Sequence, residues 1–65
     1  MHKCYETEIA GFPIRMYQSE HGFAVQYGVQ LNTSLTYTEA CQELGASIMH
    51  ALVCEGKVTD TLPSL

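Results

Sequence analysis

Two histidines and two cysteines are spaced so that they could hold a zinc ion. His2 and Cys4 lie two residues apart, and His50 and Cys54 lie four residues apart. Residues two apart share a face of a strand, and residues four apart share a face of a helix. The two pairs together could therefore complete a tetrahedral zinc site. However, the helical pair is expected to point away from the sheet, and His2 lies beside the terminus. We therefore expect no metal or other cofactor, and keep a zinc-stabilised structural module as an alternative.

A cysteine and a histidine could also act as a nucleophile and its general base. The pairs available are Cys41 with His50 or with His21. Cys41 falls on the predicted core side of a helix, where a free cysteine packs as a small apolar side chain. The sequence has no glycine-rich phosphate loop and no G-x-S-x-G motif. We therefore expect that the protein is not an enzyme.

The charge balance disfavours nucleic acid as a partner. The chain has 3 lysines and arginines against 7 acidic residues, for a formal net charge of −4. Binding to nucleic acid depends on cations that neutralise phosphates, and three scattered cations cannot form such a patch in one subunit. Mimicry of DNA by the carboxylates remains open, although the acidic residues are dispersed along the chain.

The cysteines indicate a reducing compartment. The chain has 3 cysteines, an odd number that cannot make a closed disulfide framework. On a common helix, Cys41 and Cys54 would lie about 20 Å apart, too far for a bridge. The N-terminus lacks an apolar leader, and the longest apolar run is much shorter than the ~20 residues that a membrane span needs. We expect a protein of the cytoplasm of a bacterial host cell, with no membrane contact.

The N-terminal half has the alternation of antiparallel strands. The clearest prediction is a strand over residues 23–31, where alternate positions are apolar. Its apolar face is Phe23, Val25, Tyr27, Val29 and Leu31. A strand over residues 13–18 precedes it, with a turn at 19–22, and residues 4–10 provide a third strand if they join the sheet. Gly11-Phe12-Pro13 interrupts the pattern, and Pro13 indicates a bend or an edge.

A helix is predicted over residues 37–55. Thr36 and Glu39 have the spacing of a capping box, and Gly56 suits the residue that follows a helix. Its predicted core stripe is Tyr37, Ala40, Cys41, Leu44, Ile48, Ala51 and Leu52. Residues 57–65 have no regular spacing of apolar residues and are expected to be a tail or a short strand.

The opposite side of the helix is also apolar after Glu43. This outer stripe consists of Ala46, Met49, His50, Val53 and Cys54. A helix that is apolar all round is usually covered all round, and exposed apolar surface commonly marks an interaction site. The sequence predicts that a second copy or a foreign partner covers the stripe, and a two-fold pairing through Met49, His50 and Val53 would make a homodimer. Cover by the C-terminal tail is the alternative.

A second docking surface is predicted on the outer face of the sheet and at the start of the helix. Tyrosine and arginine are common among the residues that dominate binding energy, and an acidic pair could meet a basic partner. The six residues are Arg15, Tyr17, Gln26, Gln30, Glu39 and Glu43. The simpler interpretations are a solvated sheet face and acids that suit the helix dipole.

Together these patterns predict one small α+β domain over residues 1–65. An antiparallel sheet of two or three strands carries one long helix on one face, in the order β(β)βα, and the domain is expected to be a dimer. A core of this size supplies only about 3–5 kcal/mol, so a partner chain would supplement it.

The opening segment, Tyr5-Glu6-Thr7-Glu8-Ile9-Ala10-Gly11-Phe12-Pro13, resembles the start of small accessory proteins encoded by bacteriophages and prophages. The short, acidic, single-domain profile is also similar to that of phage inhibitors of bacterial defence, including anti-CRISPR proteins. The resemblance implies a non-catalytic protein that binds a host protein or protein complex and inhibits it. Alternatives are a small dimeric transcriptional regulator or antitoxin-like module, and the zinc-stabilised module described above.

Overall fold

The computed structural model describes residues 1–57, which form a four-stranded antiparallel sheet with one helix on one face. The elements are β1 (His2–Ile9), β2 (Phe12–Ser19), β3 (Gly22–Tyr27), β4 (Gln30–Leu35) and α1 (Tyr37–Cys54). The strands lie side by side in chain order. The predicted α+β class and the single helix on the sheet are confirmed, but the sheet has four strands rather than two or three. The predicted tail lies outside the described residues from position 58 onward.

The single strand predicted over 23–31 is two strands joined by a tight turn. Gly28 has a φ of +61° and Tyr27 pairs with Gln30, so Gly28 and Val29 form a two-residue hairpin loop. Glycine at the first loop position is typical of a type II′ turn. The turn inverts the alternation that follows: Gln30 lies on the same face as Tyr27, and Leu31 lies on the other face, opposite Gln26. Val29, predicted to be in the core, is fully exposed at 101%.

The first hairpin explains the break in pattern after residue 9. Ala10 and Gly11 have φ values of +54° and +79°, as the two central residues of a type I′ turn require. Pro13 follows in a central strand rather than at an edge. Its carbonyl accepts a hydrogen bond from the Gly28 amide, with N–O 2.9 Å. In a strand the N–H of a residue points to the same side as its C=O, so the missing donor of Pro13 faces Gly28 at the end of the β2–β3 ladder. The Gly28 carbonyl there accepts a hydrogen bond from the Gln26 side chain instead, with N–O 3.0 Å.

Each edge strand contains a bulge. In β1 the pairing passes from Lys3 opposite Tyr17 to Tyr5 opposite Met16, so Cys4 is an extra residue. In β4 an extra residue lies between positions 32 and 35, where Ser34 has a φ of +58°. Bulges bend and twist the strand that contains them and disfavour pairing with another sheet edge.

The core lies where α1 crosses the middle of the sheet. Ile14, Met16 and Val25 are buried on the strand side, and Ala40 and Ala51 are buried on the helix side. The small helical side chains let the helix approach closely, and larger side chains close the margins of the contact. The surrounding, partly buried residues are Phe23, Leu35 and Leu44.

The helix has the caps that the sequence predicts, and ends one residue earlier than expected. Thr36 and Glu39 form the reciprocal hydrogen bonds of a capping box. At the other end, the Gly56 amide bonds to the Val53 carbonyl and the Lys57 amide to the Leu52 carbonyl, which is a Schellman motif. No helix in the described part of the chain is long and apolar enough to cross a membrane.

Replacing Gly22 with alanine is expected to destabilise the fold. Gly22 has a φ of +126°, and a Cβ at this position would lie 2.7 Å from the Leu35 carbonyl oxygen. We expect the free energy of unfolding to fall by about 1–3 kcal/mol, because strain of this kind costs that much. Urea unfolding followed by circular dichroism measures it.

The matched control is Gly45→Ala. Gly45 lies within the helix, and nothing is within 4 Å of a Cβ built there. This variant should gain about 0.5–1 kcal/mol from helix propensity. Equal effects of the two substitutions would contradict the close approach of β4 to Gly22.

Candidate functional site

The outer face of the sheet carries a polar network that spans three strands. Arg15 on β2 donates to Glu6 on β1 and, through Nη1, to Oε1 of Gln26 on β3, at 3.3 Å. The Tyr17 hydroxyl donates to the same oxygen, at 3.2 Å, and Lys3 reaches Glu6 at 2.8 Å. Glu6, Arg15 and Gln26 are directly paired across the three strands, and Tyr17 lies on the same face two residues from Arg15, so much of the network follows from the strand pairing.

The network brings together three of the six predicted docking residues, Arg15, Tyr17 and Gln26. Their polar groups already bond to one another, so the face is ordered before any partner arrives. Gln30 is not part of this face, because the turn after Tyr27 places it on the helix side. Leu31, half exposed, takes the position beside Gln26 that alternation assigns to Gln30.

The two cations of the network act on one carboxylate. Hydrogen bonds from Lys3 and Arg15 lower the pKa of Glu6 from 4.5 to about 2. The same bond to Glu6 raises the pKa of Arg15 above its ordinary value. Glu6 therefore stays ionised in the folded protein under all but strongly acidic conditions.

Gln30 instead lies in a groove between the helix and strands β3 and β4. A cavity of about 200 Å³ opens there. It is lined by Val25, Tyr27, Gln30, Asn32, Glu43, Ala46, Ser47 and His50. An adjoining cavity is lined by Leu35, Glu39, Gln42, Glu43 and Ala46. The two share Glu43 and Ala46, and we call them together the acidic groove. The other three predicted docking residues, Gln30, Glu39 and Glu43, all line it.

The outer helix stripe is divided by the structure. His50 turns toward the sheet, where its Nδ1 lies 2.7 Å from the Tyr27 hydroxyl, with the rings edge to face at 5.6 Å. Burial raises the pKa of Tyr27, and the neighbouring Cys54 raises it further. His50 and Ala46 thus border the acidic groove, whereas Met49 and Val53 remain on the outward side, with Met49 49% exposed.

The fold separates the residues of the alternative zinc set, which are His2, Cys4, His50 and Cys54. His2 lies in the row of paired residues that contains Phe23, whereas His50 contacts Tyr27. The two rows are four residue steps apart along β3, which is about 13 Å. Within residues 1–57, no group of three or more histidine, cysteine or acidic side chains could hold a metal ion.

One of the two nucleophile–base pairs considered above, Cys41 with His50, is also separated. Cys41 and His50 are nine residues apart on α1, about 13.5 Å along its axis. Cys41 instead lies beside Tyr37, and interaction with its thiol raises the pKa of Tyr37 above its ordinary value. All three cysteines are free and exposed.

A larger and more apolar opening lies where β1 meets the first turns of the helix. This cavity, of about 520 Å³, is called the apolar groove and is lined by Cys4, Tyr5, Met16, Gln18, Phe23, Tyr37, Cys41 and Leu44. Tyr37 packs edge to face on Phe23 at 5.5 Å, yet 64% of Tyr37 and 44% of Tyr5 are exposed. Both tyrosines therefore present rings to solvent beside a half-covered core.

Helical periodicity assigns Tyr37 and Cys41 to the core, and the structure corrects this. The helix packs mainly on β2 and β3, so its first turn overhangs the margin of the sheet where β1 is uncovered. Ser47 takes a buried position that the periodicity omits.

Comparison of the chain with protein-family models, curated proteins and solved structures finds no match. The class of the protein is therefore given by its own fold and surfaces: an α+β domain whose sheet is a four-stranded meander, with one helix and two grooves beside it.

The ion pairs of Glu6 predict a loss of stability in acid. A carboxylate whose pKa is lowered by folding stabilises the protein above its unfolded pKa, and this contribution disappears as pH falls through the folded value. The contribution of Glu6 should therefore decline between pH 4.5 and about pH 2. Urea unfolding across this range measures it.

Glu6→Gln should flatten this part of the stability profile. Glu8→Gln is the control, because Glu8 lies on the same strand face and forms no ion pair within the described residues. If the Glu6→Gln protein kept the profile of the parent chain, the network would not exist in solution.

Proposed function

We propose that this chain is a non-catalytic protein-binding module that docks on a host protein through the apolar groove. The observation that carries the proposal is the exposure of Tyr5 and Tyr37 at the mouth of this groove, which is larger and more apolar than either cavity of the acidic groove. A patch of this kind on a small domain commonly marks an interaction site. Tyrosine supplies a rigid apolar ring and a polar hydroxyl, and it is enriched among residues that dominate binding energy.

The groove adjoins an open strand edge. Among residues 1–57, β1 pairs with β2 alone, so no described strand pairs with the backbone donors and acceptors on its other side. An extended segment of a partner could pair with this edge while its side chains enter the apolar groove. The bulge at Cys4 interrupts the edge, which limits such pairing to the segment from Tyr5 to Ile9.

The proposed role is inhibition of a host protein complex by a phage-encoded protein, as in anti-CRISPR proteins. The resemblance of residues 5–13 supports the origin, and the groove supports binding without catalysis. A regulator that contacts nucleic acid is a weaker candidate. The three cations of the chain lie next to carboxylates, Lys3 and Arg15 at Glu6 and Lys57 at Glu55. Such pairing leaves little positive charge for phosphates.

Truncating the tyrosines of the groove is expected to abolish binding of the host protein. Tyr37→Ala and Tyr5→Ala should each reduce capture of the partner from bacterial lysate about tenfold or more, because residues of this kind often contribute 2 kcal/mol or more. Affinity capture with quantitative mass spectrometry measures this, with equal amounts of folded bait.

Val29→Ala is the matched control. It also truncates an exposed apolar side chain, but at the turn after β3, outside the groove. A protein that is captured equally by the parent chain and both tyrosine variants would rule out the apolar groove as the docking surface.

We also propose that the domain forms a homodimer through the outward side of α1. Met49 is 49% exposed there, and Val53 is only partly buried. Met49→Asp should convert a particle of twice 7.2 kDa into one of 7.2 kDa, because a charge in an apolar interface lacks a partner. Light scattering after size exclusion gives the mass, and a chelator tests whether metal contributes.

Val29→Asp is the control for added charge at an exposed apolar site. It should leave the mass unchanged. A parent chain that elutes with the mass of a single copy would exclude the dimer and leave Met49 free for a foreign partner.

A further inference from the structure

The acidic groove contains a carboxylate that forms no ion pair among the described residues. Glu43 is half-buried and lines both of its cavities. Each of the three cations of the chain forms its ion pair elsewhere, two with Glu6 and one with Glu55. A partly buried carboxylate is favoured by a cation at short range, and a partner is the available source.

A second observation shows that the groove is built to receive a polar group. Ser47 is only 8% exposed and lines the first cavity. Its hydroxyl forms none of the side-chain hydrogen bonds found within residues 1–57. No fully enclosed side-chain oxygen or nitrogen in this part of the chain lacks a partner, so the hydroxyl oxygen is at least partly accessible, and Ser47 lines the cavity. A nearly buried hydroxyl therefore points into a cavity that holds an unpaired carboxylate.

The facing wall supplies more acceptors. Gln30 and Asn32, on β4, line the same cavity opposite Glu43 and Ser47 on the helix. Each amide oxygen can accept two hydrogen bonds, and a carboxylate accepts up to about four. Acceptors on two walls suit a ligand with several donors in a plane. The guanidinium of arginine has five such donors in a fixed fork, whereas a lysine ammonium acts as a point charge.

We infer that the acidic groove binds an arginine side chain of a partner protein, with the guanidinium between Glu43 and the amides of β4. The cavity of about 200 Å³ has room for one long side chain rather than a folded element. The net charge of −4 further favours a basic partner. This inference rests on the proposed role as a protein-binding module, but concerns a different surface from the apolar groove.

The test is a titration of the full-length, ¹⁵N-labelled chain with the blocked tripeptide acetyl-Gly-Arg-Gly-amide, followed by amide chemical shifts. The comparison peptides replace arginine with lysine or with citrulline, which keeps the shape but has no charge. We expect saturable shifts at Gln30, Asn32, Glu43 and Ser47. Citrulline should produce none, and lysine should bind several times more weakly, because it cannot make paired hydrogen bonds.

Variants separate the groove from general electrostatics. Glu43→Gln should weaken binding of the arginine peptide about tenfold or more, since hydrogen bonds to charged groups contribute that much. Glu8→Gln makes the same change of net charge on the opposite face of the sheet, and should leave binding unchanged. Asn32→Ala should also weaken binding of the arginine peptide. Because Asn32 lies on the edge strand β4, this result does not depend on the effect of a substitution in the helix.

Three results would overturn the inference: equal loss in Glu43→Gln and Glu8→Gln, equal binding of the citrulline peptide, or shifts confined to the apolar groove. The Tyr37→Ala protein should still bind the arginine peptide. If the peptide fails to bind while the parent chain still captures a host protein through its tyrosines, the arginine site is wrong and the proposed function stands. If the peptide binds as expected but no protein is captured, the proposed docking surface is wrong and the arginine site stands.

Discussion

The contact between α1 and the two middle strands is the constraint on which the remaining structure depends. One helix of 18 residues must cover a sheet of four strands, and it packs mainly on β2 and β3. Buried alanines, Ala40 and Ala51, allow a close approach over Ile14 and Val25. The edge strands are left with partial cover. A chain of this length has no further element among its described residues to complete the layer, so open margins are a direct result of its size.

Both grooves lie at these open margins of the helix–sheet contact. One is apolar and the other is polar because different residues border them. On the β1 side, the first helical turn contributes Tyr37 above Phe23, and the margin is apolar. On the β4 side, the helix contributes Glu43 and Ser47 above strand amides, and the margin is polar. No helix of residues 1–57 covers the outer sheet face, whose polar side chains bond to one another around Arg15. In the described part of the chain, an apolar recess thus lies on one side of α1 and an acidic recess on the other.

Local patterns in the sequence predict much of this architecture. The capping box at Thr36 and Glu39 marks the start of the helix, and alternation identifies the buried face of β2 and the first half of β3. The turn at Gly28 was missed, because the apolar alternation continues through Val29 and Leu31 as if no break existed. A glycine in a strand pattern can mark a turn, and here only the long-range pairing of Tyr27 with Gln30 reveals it.

The candidate sites were less predictable for the same reason. The turn at Gly28 decides on which face of the sheet Gln30 lies. The acidic groove therefore cannot be predicted unless this turn is recognised. Tyr37 and Cys41 fall on the same helical stripe as the core residues. Helical periodicity, however, does not indicate how much of that stripe is covered by the sheet. The pairing of His50 with Tyr27 depends on how the helix is rotated over β3, which a helical wheel does not specify.

The strand order has a consequence for how the chain reaches its fold. Every pair of adjacent strands is joined by a loop of only two residues, at Ala10-Gly11, Glu20-His21 and Gly28-Val29. Contacts between near neighbours in sequence form quickly, because little loop entropy is lost in closing them. The hairpins of the sheet can therefore form one after another as the chain is synthesised. The apolar face of the sheet then stays uncovered until α1 has been made and packs on it. Newly made chains that stop before α1 would display Ile14, Met16 and Val25 to the cell, and would be the species most in need of protection from aggregation.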